Sequence, residues 1–302
     1  MENSHSSGPP TSDVSQASLP QANASPEKKP SLLRVIVHSF FVVPFLIAVF
    51  AVLIYLIVRI ITMEQHTTYD YLNDIKTGAA TKRWQAAFEL SRILANSELV
   101  PKEERFVAEM IAAFEHAEQD DNRVRQYLAL AMGRTGNIAF VEPLIAALGK
   151  DPDENKPSLI HALGTIRDPR AVPPLMTASA HPDGRIRLNA IIALGNIGDS
   201  SSIEVLRGAL NDAEPNIRWD AAIALAKMKD PSGKDQLLKL LDRNYYSEFP
   251  EVSSEEVNEA IKVVIEVSKG LQDTDLQAAT ARLAKEDPNM KVRHAAMEAS
   301  GR

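Results

Sequence analysis

The chain has 302 residues, of which 45% are apolar and 24% are charged, and its formal net charge is −7. It contains no cysteine, which excludes disulfide frameworks, thiolate metal sites and cysteine nucleophiles. The acidic balance is a poor match to the phosphate backbone that dominates nucleic-acid affinity, so we expect no nucleic-acid partner.

The first segment, residues 1–34, is rich in Ser and Pro and has almost no large apolar side chain before residue 32. Such a segment cannot bury enough apolar surface to offset the entropy lost on ordering. We therefore predict a disordered tail over residues 1–34.

Residues 35–61 are predicted to form a transmembrane helix. No charged residue interrupts Ser39–Val58, and twenty helical residues span about 30 Å, the thickness of the hydrocarbon core. A buried helix of a soluble solenoid would show a polar stripe, and a cleavable signal would lie nearer the start and precede a small-residue cleavage site. The pattern therefore favours a retained single-pass anchor.

The charges that flank this segment predict its orientation. Lys28, Lys29 and Arg34 precede it, whereas Arg59 and Lys76 follow it. Because basic residues are enriched on the cytoplasmic side, we expect a cytoplasmic N-terminus and residues 62–302 on the other side of the membrane.

Residues 62–302 contain an internal repeat. Arg125, Lys156, Arg187 and Arg218 occupy equivalent positions at intervals of 31 residues, and this register continues through four units without a gap. A fixed period between 20 and 50 residues is typical of solenoids. We predict an all-α solenoid of about seven helical pairs.

The second helix of each unit has the most regular pattern. With the Arg position taken as zero, small or apolar residues occur at +3, +4, +6 and +7, which is the spacing of one apolar helix face. A glycine at +8 either lets neighbouring helices approach closely or ends the helix, and Asp, Asn or Pro follows as a turn residue.

The register breaks at two places, each with room for about eleven extra residues. The first break is either a linker around Ala95–Arg105 or a longer helix after Pro101. The second is predicted to be a loop, Arg243–Ser254. Insertions in a solenoid often carry its contacts.

The repeat pattern is carried by Arg187, Ala190, Ala193, Leu194, Gly195, Ile197, Gly198 and Asp199, and by Arg218, Ala221, Ala222, Ala224 and Leu225. It resembles the HEAT repeat, in the short form called the phycobilisome-lyase-type HEAT-like repeat. The resemblance implies an α-solenoid whose second helices line the concave side and which serves as a binding scaffold. Membrane-anchored bacterial proteins of this arrangement resemble the whole chain, which suggests a bacterial source.

Enzymes with related repeats provide a test of catalysis. Deoxyhypusine hydroxylase presents His-Glu dipeptides to a di-iron centre, but none of the seven histidines here is followed by Glu. HEAT-like lyases need an acid or base aimed into a pigment pocket, and only His161 has a position that suits such a groove. We therefore expect no catalytic residue, no metal site and no cofactor. A lyase-like or cofactor-handling accessory protein, or a structural subunit of a membrane complex, remains the alternative.

The predicted function is a membrane-anchored, non-catalytic scaffold that binds another protein. Trp, Tyr and Arg most often dominate interface energetics. We therefore predict contacts at positions +1, +2 and +9 of the second helices and at the loop aromatics, namely Trp84, Gln85, Arg92, Tyr127, Arg134, Asn189, Asn196, Trp219, Asp220, Lys227, Tyr245, Tyr246 and Phe249. Two alternatives stay open: the tryptophans pack against the adjacent repeat, and the +9 cations stabilise helix C-termini.

Overall fold

The computed structural model describes residue 36, residues 38–61 and residues 66–301, and the chain divides into two compact units between Gln65 and His66. The tail predicted over residues 1–34 lies outside the described residues.

The first unit contains a π-helical turn, His38–Val42, followed by helix α1, Val43–Ile61. Within this unit, Phe40–Arg59 is long and apolar enough to cross a membrane, with a mean hydropathy of 3.1 over an 18-residue window. None of that segment is buried within the described structure. By length and composition it is therefore a candidate membrane span.

The second unit is built from helical pairs. Its helices are α2 Thr68–Thr77, α3 Ala80–Ile93, α4 Glu104–His116, α5 Asn122–Thr135, α6 Val141–Lys150, α7 Lys156–Ile166, α8 Val172–Ala178, α9 Gly184–Ile197, α10 Ile203–Ala209, α11 Pro215–Lys227, α12 Lys234–Leu240, α13 Ser254–Ser268, α14 Thr274–Glu286 and α15 Met290–Ala299. These are seven pairs within residues 66–301, and no strand occurs in the described part of the chain. The prediction of an all-α repeat solenoid is confirmed.

The second helices α3, α5, α7, α9 and α11 pack against one another in succession. Where they meet, a glycine at +8 faces an alanine at +6 of the next helix: Gly133 faces Ala162, Gly164 faces Ala193 and Gly195 faces Ala224. A Cβ atom built on these glycines would lie only 2.5–2.9 Å from the alanine Cβ atom. Close approach is therefore the role of this glycine, and the helix ends only later.

In α5, α7, α9 and α11 the backbone turns left-handed at position +11, whereas Leu94 of α3 keeps a right-handed conformation there. Gly136 and Gly198 have φ angles of 66° and 71° at this position. In α7 and α11 it is occupied by Arg167 and Lys229, both with φ of 61°. A short 3₁₀ turn then leads into the next pair, and it is capped by a side chain that accepts a backbone hydrogen bond, as at Asp199.

Arginines at the zero position of α3, α5 and α9 tie consecutive repeats together, whereas Arg218 of α11 donates to backbone carbonyls of its own repeat. Arg83 donates two hydrogen bonds to Asp120 at 2.6 and 2.7 Å, and Arg187 donates two to Asp212, both at 2.9 Å. Each aspartate lies in the turn between the two helices of the following repeat. The hydrogen bond from Arg83 holds the pKa of Asp120 below its ordinary value, despite partial burial. The sequence pattern used these arginines only as register markers.

The two insertions have different structures. The first contains both predicted features, because a 3₁₀ turn at Ser97–Leu99 lengthens the linker and α4 has 13 residues. The second was predicted to be a loop, but its first six residues form a 3₁₀ helix, Arg243–Glu248. Asp242 caps this helix by accepting a hydrogen bond from the backbone of Asn244.

Candidate protein-binding surface

Positions +2, +5 and +9 lie on one side of a helix because each residue advances by about 100°. In α3, α5, α7, α9 and α11 we call these residues the second-helix face, and none of them is fully buried. Its members are Gln85, Phe88, Arg92, Tyr127, Leu130, Arg134, Ser158, His161, Thr165, Asn189, Ile192, Asn196, Asp220, Ile223 and Lys227.

The face exposes apolar side chains that the sequence prediction missed. Phe88 is 41% exposed and Ile192 is 37% exposed, both at position +5. The ring of Phe88 makes an edge-to-face contact with Tyr127, with ring centroids 5.3 Å apart. Position +5 of α3 therefore neighbours position +2 of α5. The signal was in the sequence, since an apolar residue at +5 lies outside the core positions +3, +4, +6 and +7.

The cations at +9 have three different environments. Arg134 donates hydrogen bonds to the backbone carbonyl and hydroxyl of Ser91, near the C-terminal end of α3. This contact matches the helix-terminus alternative. Arg92 forms an exposed ion pair with Glu89 at 2.7 Å. The Lys227 side chain forms no hydrogen bond or ion pair within the described residues, although its charge acts on Asp220.

The two asparagines of α9 on this face have different surroundings. Asn189 donates a hydrogen bond to the backbone carbonyl of Arg185 at 2.8 Å, which leaves its side-chain oxygen available. Asn196 and Lys227 line a cavity of about 330 Å³ together with Arg167 and Met228. The side chain of Gln85 on α3 is exposed.

The two tryptophans at +1 pack against the adjacent repeat. This is the alternative that the sequence left open beside a role in partner contact. The guanidinium carbon of Arg123 lies 4.5 Å from the centre of the Trp84 ring, in a cation–π contact. Trp219 contacts the insertion after α12. Both tryptophans keep part of their surface exposed.

Trp219, Tyr245, Tyr246 and Phe249 form an aromatic cluster with ring centroids 5.0–6.2 Å apart. Trp219 Nε1 donates a hydrogen bond to the Tyr245 hydroxyl at 3.2 Å. Burial raises the pKa of Tyr245, but the hydrogen bonds from Trp219, Gln236 and Arg218 outweigh it, so the net shift is below the ordinary value. The cluster fixes the insertion onto α11.

Tyr246 requires a correction within this cluster. It was predicted to contact a partner, but its side chain is only 6% exposed and its hydroxyl donates to the carbonyl of Leu240 at 3.0 Å. Burial raises the pKa of its hydroxyl. Tyr246 therefore belongs to the core, whereas Tyr245 and Phe249 remain partly exposed beside it.

Asp220 is the most unusual charged group on the face. Its carboxylate accepts no hydrogen bond or ion pair within the described residues. Burial raises the pKa of Asp220 from 3.8 to about 6, and the charge of Lys227 opposes this shift only in part. Part of this carboxyl population is therefore protonated under mildly acidic conditions.

The raised pKa of Asp220 predicts a pH-dependent stability. Between about pH 4 and pH 6 the folded chain binds more protons than the unfolded chain, so the free energy of unfolding falls as the pH rises. One pKa unit corresponds to about 1.4 kcal/mol, and solvent screening reduces this for a partly exposed group. We expect Asp220→Asn to stabilise the fold by about 1–3 kcal/mol at pH 7.5 and by little at pH 4.

Urea unfolding of the two proteins across this pH range measures that effect. Glu115→Gln, at an exposed position on α4, is the control and should leave the pH profile unchanged. A parallel profile for wild type and Asp220→Asn would contradict the burial of this charge.

No group of three or more His, Asp or Glu side chains is arranged to hold a metal ion within the described ranges.

These features define an α-solenoid of stacked helical pairs. Residues 107–185 and 175–249 match the family model for HEAT repeats. The matched part of the chain, residues 107–249, therefore consists of HEAT repeats within an all-α solenoid. No curated protein sequence matches it.

Solved structures share this fold. The chain is similar to a chain in the structure of the complex of CpcE and CpcF of phycocyanin lyase from Nostoc sp. PCC7120, with 20% identity and a TM-score of 0.51, over 80% of this chain and 96% of that one. It is also similar to an engineered protein, with 17% identity and a TM-score of 0.45 over 68% of this chain and 99% of that one. A computationally designed armadillo repeat protein for modular peptide recognition has 16% identity and a TM-score of 0.39, over 76% and 98%. At sequence identities this low, the likeness supports a shared fold and no shared function.

Proposed function

We propose that this chain is a membrane-anchored scaffold that binds another protein through the second-helix face and catalyses no reaction. The observation that carries the proposal is the face itself, which presents exposed apolar, polar and charged side chains across five stacked helices. Stacked repeats offer an extended surface of this kind, and a mixture of apolar and polar groups is typical of non-obligate interfaces.

The anchor proposal is supported by the apolar segment Phe40–Arg59 and by its exposure. A soluble protein seldom exposes an apolar surface of this size, because the hydrophobic effect favours its burial. We propose that the repeats lie on the extracytoplasmic side, on the basis of the flanking basic residues.

Two exposed apolar residues provide the test of binding. We expect Phe88→Ser combined with Ile192→Ser to reduce recovery of the bound protein about tenfold or more, since loss of buried apolar contacts at an interface centre costs more than about 1 kcal/mol. The measurement is quantitative affinity purification of the full-length protein from detergent-solubilised membranes, followed by mass spectrometry.

The matched control is Leu99→Ser combined with Ile138→Ser, because these apolar residues are also exposed but lie in the 3₁₀ turns. It should recover the same proteins as wild type. Equal recovery by both double variants would refute the proposed binding surface. A coloured purified protein would instead favour the cofactor-handling alternative.

A further inference from the structure

The unpaired carboxylate of Asp220 differs from all comparable groups in the repeats. Every other Asp or Glu side chain that is partly or fully buried within the described residues accepts a hydrogen bond or an ion pair. Asp120 and Asp212 are bound by arginines of the preceding repeat, for example. The fold therefore satisfies each of these carboxylates in one way or another, with Asp220 as the exception among the described residues.

We infer that Asp220 binds a lysine or arginine side chain of the protein that occupies the second-helix face. This inference rests on the proposed function and adds the chemistry of the partner.

The position of Asp220 on the face supports this assignment. It lies at +2 of α11. Phe88 at +5 of α3 contacts Tyr127 at +2 of α5, and by this equivalence we expect Ile192 at +5 of α9 to neighbour Asp220. Ile223 follows one turn further along α11. A lysine or arginine side chain has an alkyl stem that packs on such apolar surface while its charged end reaches a carboxylate.

Other ligands fit the site less well. A metal ion needs several carboxylate or imidazole ligands, and no such group is arranged around Asp220 in the described residues. Among the described residues, Lys227 is the cation whose charge acts on the Asp220 carboxyl, and it lies two helical turns away along α11 without forming an ion pair with it. A cation supplied from outside is therefore the missing partner of this carboxylate.

The energetics favour the same conclusion. A carboxylate held partly away from water without a partner destabilises the isolated fold, and pairing it with an incoming cation removes that cost. The pKa raised to about 6 reports the same desolvation. Residues that serve function often reduce the stability of the fold, and an unpaired charge that contacts a partner is one example.

Synthetic peptides test the inference with the full-length protein in nanodiscs. The probes are four pools of nine-residue peptides with apolar and Ser flanks, and with Arg, Lys, Gln or Glu fixed at the centre. We expect wild type to retain the Arg and Lys pools about fivefold more strongly than the Gln pool. A ratio of this size corresponds to the contribution of one partly exposed ion pair to binding. Equal retention of the four pools would overturn the inference.

Two variants separate recognition from folding. Asp220→Asn should lose the preference for cationic peptides although it is expected to be more stable than wild type, so unfolding does not account for the loss. Lys227→Met should strengthen the preference, because it removes a competing cation from the same face. A preference that survives Asp220→Asn would refute the role of this carboxylate.

Recovery of the bound protein by the two kinds of variant distinguishes this inference from the proposed function. If its recovery is lost in the Phe88 and Ile192 double variant but is unchanged in Asp220→Asn, the scaffold role stands and the cation assignment is wrong. If neither variant affects recovery, the binding surface itself is wrong.

Discussion

Arg125→Ala is expected to lower the free energy of unfolding by about 3–5 kcal/mol. The guanidinium of Arg125 donates two hydrogen bonds to Asp151, at 2.8 and 2.9 Å, and both side chains are only 3% exposed. It also donates to the backbone carbonyl of Phe114 and lies 3.9 Å from the centre of the Phe114 ring. Removing it leaves the charge of Asp151 buried without a partner.

The control for this experiment is an ion pair of similar length at the surface. Arg185 pairs with Asp183 at 2.8 Å, but the arginine side chain is 77% exposed. Arg185→Ala should change stability far less than Arg125→Ala, because water screens the pair. Chemical denaturation of both variants measures the difference. Equal effects would show that burial does not determine the contribution of the Arg–Asp contacts.

A further variant distinguishes the loss of a partner from the loss of packing. Arg125→Met combined with Asp151→Leu removes both charges and keeps an apolar volume in their place. Buried ion pairs replaced in this way often leave stability unchanged or increase it. The double variant should therefore be more stable than Arg125→Ala.

The helical pairs were predictable from the sequence because each repeat buries the same face and so keeps the same spacing. The ion-pair partner of Arg125 was not predictable, because Asp151 lies 26 residues away in the turn of another repeat. A repeat register shows which positions are equivalent, but it does not show which of them touch. The pairing depends on how one repeat is rotated relative to the next.

The sequence also predicted only part of the candidate surface, because it shows which positions are exposed but not which residues of the insertion they touch. Positions +2 and +9 follow from helix geometry, and all of the predicted residues at these positions are at least partly exposed. The environment of Trp219 and Tyr246 depends instead on the insertion after α12, which has no equivalent in the regular units. Its 3₁₀ helix turns Tyr246 into the core, and no spacing rule predicts that orientation.

The last expected result concerns the contacts between second helices. Gly195→Ala should destabilise the fold by about 1–3 kcal/mol, the usual cost of adding a methyl group to a packed interior. Its Cβ atom would lie 2.5 Å from the Cβ atom of Ala224 and 3.2 Å from the Cα atom, so backbone as well as side chain would have to move.

The same glycine-to-alanine substitution at Gly208 should instead raise the free energy of unfolding. Gly208 lies in α10, and a Cβ atom there would meet nothing within 4 Å. Gly208→Ala should therefore stabilise the fold by about 0.4–1 kcal/mol, because alanine loses less backbone entropy on folding. Equal and favourable effects at both glycines, measured by urea denaturation, would contradict close packing between α9 and α11.

A second substitution tests whether the contact itself is responsible. Ala224→Gly removes the methyl group that the new side chain at residue 195 would strike, so the Gly195→Ala and Ala224→Gly double variant should recover part of the lost stability. Residues in contact show coupling energies of about 0.5–3 kcal/mol in such cycles. Additive effects would place the cost of Gly195→Ala elsewhere in the helix, whereas a favourable coupling would show that the distance between second helices is limited by these two residues.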